Sequence, residues 1–189
     1  MNRCDMLLKE NCTLYSGGLQ GAESFFGEVA EKWGVKEVNF TFAGRTPSRD
    51  RNMVVIPDEE LARGDISMEL ASKMMKRNYY EAEKLRKILQ VIFHMVNNGH
   101  QIFVVGTIQD DNTVKGGTGW AVELAKLFNR PVHVYGQVRK GWYTWRDGSW
   151  QQDEPSINHE TFVGSGTRHL TEDGRRAIEK LFEDSFGSI

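Results

Sequence analysis

The sequence predicts an α/β fold, a Rossmann-like three-layer α/β/α arrangement with a mostly parallel sheet. Short β-branched or apolar runs alternate with helical segments along the chain, which is the order that gives parallel strands. Three of these runs end in a loop of small residues that opens a helix. The chain has 189 residues and contains no internal repeat or linker, so we expect a single domain over residues 1–189.

The composition indicates a globular protein without a membrane or nucleic-acid partner. Hydrophobic residues make up 39% of the chain and the formal net charge is −2, so the basic footprint of nucleic-acid binding is absent. No apolar run approaches the ~20 residues of a membrane helix, and we see no secretory signal. Two cysteines, Cys4 and Cys12, are too few for a disulfide scaffold. We therefore expect a cytoplasmic protein, and the scattered histidines suggest no metal site; no cofactor is expected.

The first segments predict a βαβ unit, which implies parallel strands joined by a right-handed crossover. Residues 12–15 form the first predicted strand and residues 38–42 the second. Between them, residues 21–33 carry apolar side chains at helical spacing, and Gly34 ends this helix. Residues 53–57 form either a further strand or an extended connector.

A long helical pattern follows over residues 58–98. It can break near Gly64, where Asp65 is a possible cap. The sequence leaves open whether these helices form a lid over a site or an interface. The remaining predicted elements are strands at residues 101–108, 131–135 and 161–163, a helix at 120–128, a small β-hairpin around Asp147-Gly148, and a final helix at 172–186 capped by Thr171.

Three segments share one plan, in which a strand leads through small residues into a helix. Their loops are Ser16-Gly17-Gly18, Gly116-Gly117-Thr118-Gly119 and Gly164-Ser165-Gly166-Thr167. In a parallel sheet such loops lie at the carboxyl ends of the strands, where backbone N–H groups and helix N-termini favour an anion. A tight turn without a ligand explains one such loop, whereas three in one domain predict a shared anionic ligand. The dinucleotide pattern Gly-x-Gly-x-x-Gly and the Lys-Ser/Thr ending of a P-loop are both absent.

The first loop resembles that of the SLOG superfamily, over residues 15–23 (Tyr-Ser-Gly-Gly-Leu-Gln-Gly-Ala-Glu). This Rossmann-like superfamily includes the Lonely-guy phosphoribohydrolases, the molybdenum-cofactor carrier proteins and the DprA-type DNA-processing proteins. The whole chain looks like a branch of it. The resemblance implies a Rossmann-like fold and, by analogy, a homo-oligomer of two or more copies.

The middle loop resembles the Lonely-guy pattern Pro-Gly-Gly-x-Gly-Thr-x-x-Glu. The matching residues are Gly116, Gly117, Gly119 and Glu123, and the departures are Lys115 in place of Pro and Trp120 in place of Thr. Upstream, Arg77-Asn78 stands where that family carries the Arg of its catalytic pair.

The Lonely-guy resemblance implies hydrolysis of the base–ribose bond in a nucleoside 5′-monophosphate. A glycosidic bond breaks through an oxocarbenium-like state, which a nearby carboxylate stabilises. Glu123 lies in the first turn of its helix and can face the ribose, while Arg77 can pair with Glu123 or bind phosphate. Alternatively, Glu123 is a first-turn acid favoured by the helix dipole, and Arg77 is a solvated charge.

Further candidates for ligand binding surround the three loops, and each has a structural alternative. Tyr79, with Tyr80, can stack on a base or belong to the core, and Arg45 can contact a ribose or phosphate or remain solvated. The aromatic residues of the hairpin are interpreted mainly as core or subunit interface. The predicted ligand-binding residues are Ser16, Gly17, Gly18, Arg45, Asn78, Tyr79, Lys115, Gly116, Gly117, Thr118, Gly119, Gly166, Thr167 and Arg168.

These observations support functions of different classes. The first is binding of a nucleotide or nucleotide-derived phosphorylated ligand, such as an ADP-ribose-like molecule or a nucleoside monophosphate. The second is a Lonely-guy-like phosphoribohydrolase that uses Glu123 and Arg77. A third is a carrier for a phosphorylated cofactor such as molybdopterin, and a structural role without a ligand would leave the three glycine loops unexplained.

Overall fold

A computed structural model describes residues 7–79 and 82–189, so Cys4 and Tyr80 lie outside the described residues. Helices cover both faces of one eight-stranded sheet. The strands are β1 (Thr13–Ser16), β2 (Lys36–Phe42), β3 (Met53–Ile56), β4 (Gln101–Gly106), β5 (Val132–Gly136), β6 (Gly141–Arg146), β7 (Ser149–Asp153) and β8 (Thr161–Gly166). The helices are α1 (Ala22–Trp33), α2 (Asp58–Leu61), α3 (Asp65–Met75), α4 (Glu83–Asn98), α5 (Thr118–Leu127) and α6 (Glu172–Phe186), with 3-10 turns at Lys9–Asn11 and Ala62–Gly64.

The strand order is β3-β2-β1-β8-β4-β5-β6-β7. The six strands from β3 to β5 are parallel, whereas β6 and β7 continue the sheet as an antiparallel hairpin. The chain therefore runs outward in one direction from β1 and in the other from β4, and β8 fills the position between them. Ligands bind at such a reversal of strand order in open α/β sheets. The predicted Rossmann-like three-layer fold with a mostly parallel sheet is confirmed.

Two hydrophobic cores hold the three layers together. Helices α1 and α6 pack on one face of the sheet around Phe26, Phe162 and Phe182. Helices α3, α4 and α5 pack on the other face, where Met95 and Leu124 are buried. Burying one such side chain stabilises the fold by about 1.5–3 kcal/mol. Every residue of β4 is buried, which explains why its sequence is apolar without alternation.

Several local predictions are confirmed by the backbone. Gly34 ends α1 in the left-handed conformation with φ of 74°, which glycine adopts without steric cost. The hairpin between β6 and β7 turns at Asp147 and Gly148, which both have positive φ, as a type I′ turn requires. The hydroxyl of Thr171 caps α6 by accepting a hydrogen bond from the Gly174 N–H. None of the helices within the described ranges is long and apolar enough to cross a membrane.

The helical region over residues 58–98 differs from the sequence prediction in two ways. The break near Gly64 is present, but a second break separates α3 from α4, and α3 ends at Lys76 in a left-handed conformation with φ of 53°. The predicted cap at Asp65 is wrong. Its carboxylate turns toward the Tyr79 hydroxyl and the Gln90 side-chain amide, at 2.5 and 2.7 Å, and so does not satisfy the end of its own helix.

Candidate functional site

A cleft of about 580 Å³ lies at the carboxyl ends of β1, β8 and β4, which are adjacent in the sheet. Residues of the middle and third predicted loops line it, together with two residues that follow the first loop, and its volume falls within the roughly 300–1,000 Å³ of small-molecule sites. The loop residues that line it are Leu19 and Glu23 from the first region, Lys115, Gly116, Gly117 and Thr118 from the middle one, and Gly166, Thr167, Arg168 and His169 from the third.

The middle loop offers free donors to this cleft. Lys115, Gly116 and Gly117 are exposed at the N-terminus of α5. The Lys115 N–H donates to the Thr107 carbonyl at 3.0 Å. The N–H groups of Gly116, Gly117 and Thr118 have no acceptor among the residues that the structure describes. Unpaired N–H groups at a helix N-terminus carry partial positive charge and attract an anion.

The loop glycines have distinct roles. Gly116 has a φ of +73°, which an L-residue adopts only with strain. A Cβ on Gly119 would lie 2.1 Å from the Val114 carbonyl oxygen, so this buried glycine permits the loop to pack on the helix. Gly117 has an ordinary helical conformation, and a Cβ there would meet no atom within 4 Å. A side chain at position 117 would therefore project into the open cleft without disturbing the fold.

Arg77 holds the middle loop through hydrogen bonds to its carbonyl groups. Its guanidinium donates to the carbonyls of Gly116 and Val114, at 2.8 and 2.9 Å, and to the Gln109 side-chain oxygen at 3.2 Å. The carbonyl and N–H of one trans peptide point in opposite directions, so binding the Gly116 carbonyl turns the Gly117 N–H away from Arg77. Arg77 is thus a positioning residue for the loop.

Glu123 lies apart from the cleft. It is 4% exposed, and its carboxylate accepts a hydrogen bond at 2.9 Å from Lys126, one turn further along α5. The Lys126 ammonium also lies 3.7 Å from the centre of the Trp145 ring in the hairpin. The predicted pairing of Arg77 with Glu123 is therefore wrong, because each charge has other partners.

The first loop is buried beneath the cleft. Ser16, Gly17 and Gly18 are buried, and the Ser16 hydroxyl accepts a hydrogen bond from the Gly18 N–H at 3.4 Å. A Cβ on Gly18 would lie 2.2 Å from the Arg49 carbonyl oxygen, so this glycine permits a close approach of two backbones. The structure does not bring these three predicted residues to the cleft surface.

The carboxylate of Glu23 occupies the anion position of the first loop. Its Oε2 accepts from the Leu19 N–H at 3.1 Å, and its Oε1 accepts from the Ser165 hydroxyl at 3.0 Å. A Cβ on Gly17 would lie 2.8 Å from Oε2, so the glycine makes room for this carboxylate. Burial raises the pKa of Glu23, while these hydrogen bonds and the charge of Arg45 oppose the increase.

Sequence reasoning did not assign Glu23 a role, although the residue belongs to the stretch that resembles the SLOG loop. A signal was present, because an acid in the first turn of a helix after a glycine loop can fold back onto that loop's N–H groups. The Ser165 hydroxyl, by contrast, comes from a strand far along the chain. Only the tertiary structure brings it to the carboxylate.

In the third region, the strand extends further and the turn begins later than the sequence predicts. Gly164 and Gly166 lie within β8, and a Cβ on Gly164 would be 2.5 Å from the Phe26 ring, so this glycine serves the packing of α1 on the sheet. The turn itself begins at Thr167, whose carbonyl accepts from the Ala22 N–H at 3.0 Å and thereby joins the third region to the start of α1. Arg168 follows and is exposed at the cleft.

Three other predicted ligand residues lie outside this cleft. Tyr79 is 2% exposed and packs with its ring centre 5.9 Å from that of Trp120, so it belongs to the core instead of forming a stacking surface for a base. Asn78 lines a neighbouring cleft of about 570 Å³ on the Arg77 side of the middle loop. Arg45 is half-buried over the Phe42 ring, and burial lowers its pKa.

Helix α4 supplies an apolar wall opposite the polar loops. The side chains that form it are Leu85, Ile88, Leu89 and Ile92. Part of the helical region over residues 58–98 is therefore a wall of the cleft. Because Lys115 and Arg168 are exposed on the polar side, the cleft combines an apolar surface with positive charge and free backbone donors.

A larger cavity of about 770 Å³ lies at the other end of the sheet, beside the first residues of β4 and β5. Its buried polar groups are paired with one another. His133 contacts the Thr144 hydroxyl at 2.7 Å, and that hydroxyl donates to Asp153, which also pairs with Arg146. The side-chain amide nitrogen of Gln101 completes the set, 3.0 Å from the second ring nitrogen of His133. This cavity therefore has a self-contained polar network, whereas the smaller cleft presents unpaired donors.

No protein-family model, curated protein or solved structure matches this chain. The ligand class must therefore be inferred from the donors, charges and walls of the cleft itself. Those features are an exposed N–H cradle at Gly116 and Gly117, two cations, one buried carboxylate and an apolar helix face.

Proposed function

We propose that the protein binds a nucleotide or a nucleotide-derived phosphorylated ligand, such as a nucleoside monophosphate or an ADP-ribose-like molecule. The observation that carries this proposal is the exposed middle loop, where the N–H groups of Gly116, Gly117 and Thr118 lack acceptors within the described part of the chain. They lie at the N-terminus of α5, which favours a phosphate. Lys115 and Arg168 add positive charge at the same opening.

The remainder of the cleft suits the body of such a ligand. The apolar wall of α4, with Leu89 and Ile92 at its centre, can cover a base or another flat apolar group. A free inorganic anion would leave this wall exposed to water. The proposal therefore names a phosphorylated organic molecule instead of a simple anion.

Cleavage of the N-glycosidic bond by Glu123 and Arg77, as in a Lonely-guy-like phosphoribohydrolase, has less support. Glu123 pairs with Lys126 and does not line the cleft, and Arg77 is engaged with loop carbonyls. A general acid or stabilising carboxylate must reach the scissile bond. Binding without turnover is the function that these positions favour.

We also propose that the protein resides in the cytoplasm and that it forms a homo-oligomer. The free thiol of Cys12 is buried and its pKa is raised to about 11, which suits a reducing compartment where no disulfide partner is needed. Edge strand β3 exposes three consecutive apolar residues, Met53, Val54 and Val55. Such an edge favours pairing with another strand. Cell fractionation and the mass in solution test these two proposals.

The substitution Gly117→Val tests the binding site directly. Its side chain would enter the open cleft and cover the N–H cradle, so the affinity for AMP or ADP-ribose should fall by at least about 100-fold. The backbone at this position accepts an L-residue, so the loss of stability should stay near 1 kcal/mol. Isothermal titration calorimetry gives the affinity, and urea denaturation checks the fold.

Gly141→Val is the matched control, because Gly141 lies in β6, away from the cleft, and a Cβ there makes only ordinary contacts of 3.5 Å or more. Unchanged affinity in a folded Gly117→Val protein would show that the N–H groups of the middle loop do not bind the ligand. Release of free base from AMP that disappears in Glu123→Gln would instead establish the phosphoribohydrolase. If neither AMP, ADP-ribose nor inorganic phosphate binds to the wild-type protein, the proposed function is wrong.

A further inference from the structure

Glu23 is an acidic side chain in the lining of the cleft, and its carboxylate is held by surrounding hydrogen-bond donors. It is 5% exposed, and two regions distant in sequence hold its carboxylate, through the Leu19 N–H and the Ser165 hydroxyl. A carboxylate fixed from two sides presents its remaining surface to the cleft in one defined orientation.

The position of Glu23 relative to the phosphate cradle follows from the sheet. Ser165, which holds the carboxylate, lies in β8 opposite Val104 of β4, and β4 leads into the middle loop. Adjacent strands are about 4.8 Å apart. Glu23 and Gly117 both line the cleft at the ends of these strands, so a ligand whose phosphate binds at the Gly117 N–H can present its next group to the carboxylate of Glu23.

The carboxylate retains capacity for further hydrogen bonds. Two carboxylate oxygens provide about four acceptor positions, and two are occupied by the Leu19 N–H and the Ser165 hydroxyl. Burial away from water makes an incompletely satisfied carboxylate unfavourable. A hydroxyl donor from a ligand would complete its hydrogen bonding, whereas an apolar group in the same place would leave it unsatisfied.

This inference rests on the proposed function. We infer that Glu23 accepts a hydrogen bond from a sugar hydroxyl of the bound ligand, and that the ligand class is therefore a phosphorylated ribose derivative. The residue selects the hydroxylated sugar, while the middle loop binds the phosphate. The two contacts are separable, since they come from different loops.

The pair AMP and 2′,3′-dideoxy-AMP tests this assignment, because the two ligands share phosphate and base and differ only in the sugar hydroxyls. The wild-type protein should bind AMP about 10- to 100-fold more tightly than the dideoxy analogue. In Glu23→Gln the preference should shrink to within about twofold, while the affinity for the dideoxy analogue stays equal or increases because a negative charge near the phosphate is lost.

Glu23→Gln preserves the shape of the site. Its amide oxygen can accept from the Leu19 N–H, and its amide nitrogen can donate to the Ser165 hydroxyl, which rotates to accept. Glu28→Gln is the matched control, since Glu28 is an exposed acid on the same helix. This control should keep the wild-type preference for AMP.

The outcomes separate the inference from the proposed function. Equal affinity of the wild-type protein for both nucleotides would overturn the role of Glu23 and leave nucleotide binding intact. A uniform loss of affinity for both ligands in Glu23→Gln would also overturn it, since that result means the residue only shapes the loop. Failure of the wild-type protein to bind either nucleotide would overturn both.

Discussion

Arg77 acts on the site without lining the main cleft. The resemblance to the Lonely-guy family gave it a place in the predicted catalytic pair, yet its guanidinium donates to the carbonyls of Val114 and Gly116 and to the Gln109 side chain. The residue reaches the middle loop because Lys76 ends α3 in a left-handed conformation. No glycine marks this helix end, so sequence alone did not place the break or the direction of the side chain that follows.

Removing the guanidinium should loosen the cradle. In Arg77→Ala the carbonyls of Val114 and Gly116 lose their donor, and the loop must order itself on binding. We expect a loss of about 1.5–3 kcal/mol in the free energy of AMP binding, or roughly 10- to 100-fold in affinity, measured by calorimetry. Amide hydrogen exchange should increase at Lys115 and Gly119, whose N–H groups are hydrogen-bonded to the carbonyls of Thr107 and Gly116, and this change reports the loop directly.

Arg63→Ala is the control for this change. Its side chain is 72% exposed and pairs with Glu60 one turn away, an arrangement that contributes little. It should leave both affinity and exchange unchanged. Wild-type affinity in Arg77→Ala would show that the loop keeps its shape without the guanidinium.

The three strand–loop–helix units are alike in sequence but differ in what their loops present. In the first, the Leu19 N–H already donates to the carboxylate of Glu23 and the Gly18 N–H donates to the Ser16 hydroxyl, whereas in the middle one the donors remain open. In the third, β8 extends through Gly166 and the glycines serve packing. The sequence predicted the shared plan, since it depends on local patterns. Which loop keeps its N–H groups available to a ligand depends on the side chains that the strand order brings next to it.

The two edges of the sheet contrast in chemistry. Strand β3 exposes Met53, Val54 and Val55, each more than 40% accessible, whereas β7 carries mostly polar side chains such as Gln151 and Gln152. Pairing β3 with the polar β7 of another copy would leave these apolar groups poorly covered. An antiparallel β3–β3 contact between two copies matches apolar with apolar and closes by twofold symmetry.

Val54→Lys should therefore dissociate the proposed homo-oligomer. A charge in the middle of the edge strand costs desolvation on pairing, and exposed lysine is a common protection against edge association. Sedimentation equilibrium should give the mass of two copies for the wild-type protein and one for Val54→Lys. Gln151→Lys on β7 is the control and should keep the larger mass. A monomeric wild-type protein, or a dimeric Val54→Lys protein, would contradict the β3 contact.

The polar network around His133 links the stability of the whole molecule to pH. Burial lowers the pKa of His133 to about 4, well below its ordinary value of 6.5. Because one ring nitrogen faces an amide hydrogen of Gln101, the ring is neutral and donates from the other nitrogen to Thr144. Between these two pKa values the unfolded chain binds a proton that the folded protein does not.

Stability should consequently decrease as the pH falls from 6.5 to 4. The lowered pKa of His133 contributes roughly 3 kcal/mol to the free energy of unfolding. This contribution is fully present above pH 6.5 and is lost by about pH 4. His133→Gln removes the titration and should flatten the curve by that amount in urea denaturation measured across the range. His159→Gln, at an exposed position, should follow the wild-type curve. Parallel curves for the wild-type protein and His133→Gln would contradict a buried neutral histidine.

The sequence by itself determined the architecture and the middle loop. Hydrophobic periodicity, the glycine that ends α1 and the small residues after the strands are local signals, so they specify helices, strands and turns without long-range contacts. Only the tertiary structure decided the partners of the charged residues. Glu23 meets Ser165 through the insertion of β8 between β1 and β4, and Glu123 meets Lys126 away from the cleft. Such pairings depend on strand order and on the desolvation of each group, which no local spacing encodes.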